Sequence, residues 1–307
     1  MKNILVTYYT QTGQTKEVMQ QLLSPLMGQE GINITYHEIK PKVAYPFPWR
    51  ALQFFDAFPE SVLDIPCELE KNPVDLSVKY DLIVLAYQIW YLSPSIPVNS
   101  FLQTVEAKQI FKNTPVVTII SCRNMWMMAQ EKVKIKLNEL GSSVVGNIVF
   151  YDKAPNLVSV VTICAWLIGG VREGFLSIFP RSGLSKKDVE ESPKYGKLLL
   201  ESLITNSYQN LQPALNQLGA VDIKPNLMLL EKRGSKLFKV WANFIRKKGE
   251  AGDKKRIGRV RLFAICLPTG ILLLSPIKAI TSFLVLTFTK KKIKKDMDYF
   301  LQNALQN

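Results

Sequence analysis

The chain has 307 residues, 47% of them hydrophobic and 21% charged, with no low-complexity tract. This excludes the disordered and fibrous classes and leaves room for one large domain with an appendage, or two small domains. The formal net charge of +14 suggests nucleic acid only until it is located, because residues 1–223 hold 20 basic and 20 acidic side chains. Residues 224–307 hold 19 basic and 5 acidic ones. A charge confined to one tail marks an attachment surface rather than a property of the fold. Cys67, Cys122, Cys164 and Cys266 have no paired short spacing, and His37 is the one histidine, so neither a zinc pattern nor a His-based metal site is expected. Met1-Lys2 runs straight into an apolar strand without a signal-peptide pattern, and a reduced, cytoplasmic setting with free thiols is expected.

In chain order, Ile4–Tyr9 is a β-prone run, and helical spacing follows from about Thr15 to Leu26 through Val18, Leu22 and Leu23. Ile32–Ile39 alternates as an edge or half-buried strand does, whereas Tyr80–Tyr87 and Pro115–Ser121 are continuous apolar runs, as in strands covered on both faces. Met125–Leu140 reads as a helix, Ser143–Phe150 as a fifth strand and Lys186–Gln209 as a covering helix. Strands alternating with helices in this way predict a doubly wound α/β fold with a five-stranded parallel sheet. Two stretches are too long for ordinary βα connections. One is 43–66, with YPFPW and FFDAFP; the other is 153–185, with LVSVVTICAWLIGG and FLSIFPRSG. The expected division is a domain over 1–209 carrying both insertions, then a basic extension over 210–307.

The segment Thr10-Gln11-Thr12-Gly13-Gln14-Thr15 lies where the first strand ends and a helix begins. Hydroxyls, backbone N–H groups and a helix N-terminus converge there, the chemistry a phosphate needs, and Gly13 allows close approach. A plain helix cap with polar neighbours is the competing reading. No Lys or Arg lies inside the loop, so neutral donors are expected to hold the phosphate.

LVTYYTQTGQT resembles the flavodoxin signature, and its loop is similar to the family's FMN-phosphate loop. Tyr87-Gln88-Ile89-Trp90-Tyr91-Leu92-Ser93-Pro94 is similar to the aromatic loop that covers the isoalloxazine ring in flavodoxin-like proteins. The resemblance implies stacking by Trp90 or Tyr91 and ring contacts from Gln88, Ile89 and Trp90. The third flavin loop of the family corresponds to Ser121-Cys122-Arg123-Asn124-Met125-Trp126, with Ser121, Arg123 and Asn124 as implied contacts. It departs from the small or glycine-rich loop of simpler members. Arg123 reads either as a charge beside the ring or as a surface residue near a helix start; Tyr87, Tyr91 and Arg123 are the catalytic candidates by position.

Tyr45–Trp49, Ala86–Leu102, Thr114–Lys134 and Ile178–Ser185 resemble the bacterial dialkylresorcinol-condensing enzymes of dialkylresorcinol and flexirubin biosynthesis, a likeness covering about residues 1–205. Condensation needs a nucleophilic Cys with His or Asn partners, which this sequence does not offer. A flavin suits another step, oxidation of a long-chain dialkylcyclohexanedione to a dialkylresorcinol. The expectation is therefore an FMN-dependent aromatising oxidoreductase working beside a ketosynthase, with a lipophilic substrate and a separate reductase or electron acceptor. The alternative is a membrane-attached electron carrier or quinone reductase. A homodimer is compatible with the family but has no residue signature.

In the tail, RIGRVR (256–261) and KKKIKK (290–295) bracket an apolar stretch over 262–289 that Pro268, Gly270, Pro276 and Lys278 interrupt. The pieces are too short to span a bilayer separately. Residues 255–295 read as an interfacial element drawn to the anionic inner face of the cytoplasmic membrane, or as a helix pair packed on the protein itself. Nucleic acid is not expected, since the basic runs flank apolar sequence without a mixed aromatic and polar groove.

Overall fold

The computed structural model describes residues 1–271 and 289–303. Most of the apolar stretch 262–289 therefore lies outside the described residues. The sheet is built from β1 (Lys2–Tyr8), β2 (Ile32–Glu38), β3 (Leu82–Trp90), a two-residue β4 (Ser93–Pro94), β5 (Pro115–Cys122) and β6 (Ser143–Tyr151). The main strands are all parallel and run in the order β2-β1-β3-β5-β6, while β4 pairs back antiparallel on β3. The order reverses direction between β1 and β3. This is the doubly wound, flavodoxin-like topology, whose ligands bind at the carboxyl ends of the strands beside that switch.

The two central apolar runs are buried on both faces because helices cover both. One layer packs Ile4, Val6, Val84 and Ile119 under α1 (Gln14–Leu23) and α9 (Pro193–Thr205). The other packs Leu5, Ile83, Leu85 and Ile120 under α5 (Val105–Phe111) and α6 (Met127–Glu139). β2 is an edge strand. Its His37 is buried, with Nδ1 3.0 Å from Thr7 Oγ1 and Nε2 2.9 Å from the Asn72 carbonyl oxygen. Burial lowers its pKa, which keeps the ring neutral.

The sequence reading placed one helix over 186–209; the chain makes two, α8 (Lys186–Glu190) and α9, because Pro193 starts a new helix at its first turn. The insertion at 43–66 forms α2 (Ala51–Asp56) and α3 (Phe58–Val62), and α4 (Ile96–Phe101) follows β4. The insertion at 153–185 opens with α7 (Asn156–Gly169).

Beyond residue 210 the described chain packs on these layers. α10 (Leu211–Gln217) places Leu211 and Leu215 in the core beside β6, and Gln212 bonds both backbone groups of Asn147. α11 (Pro225–Arg246) and α12 (257–271) enclose Phe58 and Val62 of α3 with Ala242, Ile245, Val260 and Phe263. Phe58 and Phe263 stack with ring centres 3.9 Å apart. α13 (Lys290–Gln302) buries Ile293 and Phe300 and exposes its lysines. No described helix is long and apolar enough to cross a membrane.

Arg256 ties the tail to the first insertion. Wholly buried, it donates from Nε to Asp56 Oδ1 at 2.6 Å and from Nη1 and Nη2 to Glu60 at 2.7 and 3.0 Å. Such a fork on two carboxylates is the geometry for which a guanidinium is preorganised.

Candidate functional site

The loop after β1 approaches α1 through Gly13, whose φ of 83° is left-handed and which stands at the N-cap. No side chain caps α1, although the first amides of any helix lack intrahelical acceptors. Gln14 and Thr15, the first two helical residues, are nonetheless buried. Thr10 Oγ1 is also buried and has no partner. Buried polar groups without partners are costly in a finished protein, and this set fits an anion seated on the helix end.

Gln11 and Gln14 anchor the loop to its surroundings. Gln11 donates from Nε2 to the Pro46 carbonyl oxygen at 2.9 Å and from its backbone to Gln88 Oε1 at 3.3 Å. Gln14, with its amide oxygen turned toward the available donors, accepts from Arg172 Nη2 at 2.5 Å and Leu184 N at 3.1 Å. Thus both insertions, 43–66 and 153–185, reach the loop.

Trp90, the last residue of β3, sits in an aromatic cluster. Its ring meets Tyr45 at 4.9 Å, Trp49 at 5.5 Å and Tyr9 at 5.9 Å between centres, all near perpendicular. Perpendicular contacts suit the ring quadrupoles. Ile89 pairs with Pro94 of β4, and Gln88 lies beside Ser121 in the sheet register. Ser121 Oγ, near the end of β5, and Asn124 Oδ1, just after it, are buried without partners. Arg123 Nη1 donates to Asn156 Oδ1 at 2.8 Å, which Asn124 Nδ2 also reaches at 2.8 Å. Burial pulls the Arg123 guanidinium below its ordinary pKa, with Cys122, Cys164 and Asp152 opposing that.

α7 runs between these two ends of the site. It starts where Asn156 holds Arg123, and ends where Leu167 O accepts from Trp49 N at 2.6 Å and Trp166 meets Phe47 at 5.8 Å between ring centres. Its polar residues Ser159 and Thr162 turn inward, while Leu157 and Val161 face solvent. Ser159 Oγ donates to Asp152 Oδ2 at 2.9 Å, which explains its inward turn.

Two of the catalytic candidates, Tyr87 and Tyr91, have their hydroxyls bonded within the protein. Tyr87 lies within the layer packed on α6, where its hydroxyl donates to Gln130 Oε1 at 2.6 Å. In a strand buried on both faces, alternation does not tell a core position from one turned toward a loop. Tyr91 has φ of 51°, packs on Phe54 and Phe58, and donates to the Phe54 carbonyl oxygen at 2.5 Å. Both hydroxyls are committed to protein acceptors.

Tyr9 and Tyr45, which sequence reasoning did not select, share the Trp90 cluster instead. Desolvation pushes both phenols well above their ordinary range, and Cys67 adds to the effect. The YPFPW run signalled an aromatic insertion, but not where it docks. Glu231, from α11, was also missed: it is wholly buried and accepts from Met128 N at 2.7 Å at the start of α6. Among the described residues no group of His, Cys, Asp and Glu is arranged to hold a metal.

No protein-family model matches the chain, and no curated protein sequence matches it. Solved structures similar to it are flavodoxin-like flavoproteins. A flavoprotein in complex with FMN from Lactobacillus acidophilus is 18% identical, matched over 48% of this chain and 93% of its own, with a TM-score of 0.37. Oxidised flavodoxin 1 from Bacillus cereus is 13% identical over 65% and 98%, with a TM-score of 0.37. A flavone reductase is 13% identical over 66% and 63%, with a TM-score of 0.35. The fold assignment rests on the strand order itself, not on these low scores.

Proposed function

We propose that this chain is an FMN-dependent oxidoreductase acting on a lipophilic cyclic dione. The observation that carries the reading is the set of buried, partnerless polar atoms at the strand ends, Thr10 Oγ1, Ser121 Oγ and Asn124 Oδ1, beside the uncapped start of α1. Thr10, Thr12 and the first amides of α1 would hold the phosphate; Trp90, Ser121 and Asn124 would border the ring. FMN held there would supply the acceptor for the hydride, which carries both electrons of the oxidation.

Aromatisation of a dialkylcyclohexane-1,3-dione removes one ring hydrogen as hydride and a neighbouring one as a proton, giving the dialkylresorcinol. Arg123 offsets the negative charge of the enolised dione. Tyr9 and Tyr45, kept neutral by burial, are hydrogen-bond donors rather than bases. The aromatic insertion supplies an apolar wall for the alkyl chains. A quinone or dioxygen takes the electrons afterwards, and a ketosynthase would form the dione. The resemblance to the dialkylresorcinol-condensing enzymes supports this substrate class.

The test is anaerobic titration of the FMN-loaded protein with a dialkylcyclohexanedione, following flavin absorbance and product mass. Bleaching with release of the resorcinol is expected. Bleaching by NAD(P)H alone, with no response to the dione, would favour the quinone reductase.

The tail is proposed to hold the protein on an anionic lipid surface. Lys290, Lys291, Lys292, Lys294 and Lys295 are all exposed on α13, and each lysine near such a surface contributes about 1 kcal/mol. Truncation before residue 256 is a poor test, because it removes the buried Arg256. Changing those five lysines to Gln should abolish flotation with phosphatidylglycerol vesicles while leaving the melting transition in place. Undiminished flotation would sink the proposal.

A further inference from the structure

We propose that Arg172 and Arg181, delivered by the segment after α7, form with the N-terminus of α1 a cationic cradle for a phosphate monoester. On the reading above, this is the 5′-phosphate of FMN. The charge absent from the loop itself would thus come from more than 150 residues further along the chain.

The segment is fixed against the helix end by its backbone. Ser182 N donates to Arg172 O at 2.9 Å, closing the loop between them. Gly183, with φ of +88°, lies so near α1 that a Cβ there would stand 2.5 Å from the Gln14 side-chain amide and 3.0 Å from the Trp166 ring. Only glycine permits both that backbone and that approach. Arg172 then reaches Gln14 and lies over Trp166, 4.8 Å from the ring centre. Ser182 is wholly buried in this contact, yet its hydroxyl has no partner, and neither do Arg172 Nε and Arg181 Nε as hydrogen-bond donors.

The acidic neighbours do not cancel the charge. Glu173 lies 3.4 Å from Arg181 Nε, but its side chain is 67% exposed, and such surface pairs contribute little. Glu17 acts on Arg172, as does Glu173, yet burial and Arg181 together still lower the Arg172 pKa. Two cations that act on one another, one of them reaching the first residue of α1, match a dianion. A neutral riboflavin has nothing to offer them.

The experiment measures FMN and riboflavin affinities by quenching of flavin fluorescence, over a range of NaCl, for the full chain and for Arg172→Ala, Arg181→Ala and Arg172→Lys. Each alanine variant should weaken FMN about tenfold or more, as loss of a charge-assisted contact does, with riboflavin nearly unchanged. Arg172→Lys should fall between, because it keeps the charge and loses the fork. FMN binding by the unaltered chain should weaken with salt. If FMN and riboflavin suffer equally, or neither changes, the cradle is overturned while the flavin reading stands. If the unaltered chain takes up no flavin, its melting temperature is followed with inorganic phosphate. A rise that Arg172→Ala abolishes keeps the cradle and discards the flavin; no rise discards both.

Discussion

Replacing Arg256 with Met should lower stability by about 3–5 kcal/mol, the loss seen when one partner of a buried ion pair is removed. The side chain is wholly buried and serves Asp56 and Glu60 together. Glu60 is itself only 8% exposed, so its carboxylate would be left in a poorly solvated place. Arg246 stands 3.7 Å from Glu60 and offsets part of that, but does not reach Asp56 in the same way. The measurement is the urea midpoint of the variant, with Arg256→Met/Glu60→Gln as partner. The double change should recover part of the loss, because the stranded charge is gone. A single variant within about 1 kcal/mol of the parent would show that the staple contributes no more than an exposed pair does.

The second large effect is one of pH. Burial raises the Glu231 pKa to about 7 from an ordinary 4.5, while the amides of Met128, Met127 and Trp126 hold it down. The unfolded group ionises near the lower value and the folded one near the higher. Between them the folded state binds more protons, so stability falls as pH rises through that window. The span corresponds to about 3 kcal/mol. Tyr87 and Cys122, which also feel Glu231, are both pushed upward and remain neutral there. Glu231→Gln should therefore be less pH-sensitive than the parent between pH 5 and 7.5, read as urea midpoints. Parallel pH slopes would remove Glu231 as the cause.

The strands were readable because each carries its burial in its own composition. Pro115–Ser121 and Ser143–Phe150 as read from sequence differ from β5 and β6 by one residue at their carboxyl ends. The turn from β1 into α1 was readable because Thr10–Thr15 is contiguous. What stayed hidden depends on contacts between distant segments. Nothing local to Arg172 says that it meets Gln14, and nothing local to Arg256 says that it meets Asp56. Tyr87 lies beside the loop in sequence, while its side chain belongs to the layer under α6. The tail from residue 210 read as an extension by its charge, although Leu211 and Leu215 carry the spacing of a covering helix.

The Arg256 staple also has a consequence for synthesis. Asp56 and Glu60 wait for a residue 196 to 200 positions later, and Phe58 waits for Phe263. The sheet strands are all made by residue 151, while α2 and α3 still lack their cover. Long-range contacts form late in such a topology. Phe58, with Phe55 and Leu63, then stays without its apolar cover until the ribosome has delivered α11 and α12.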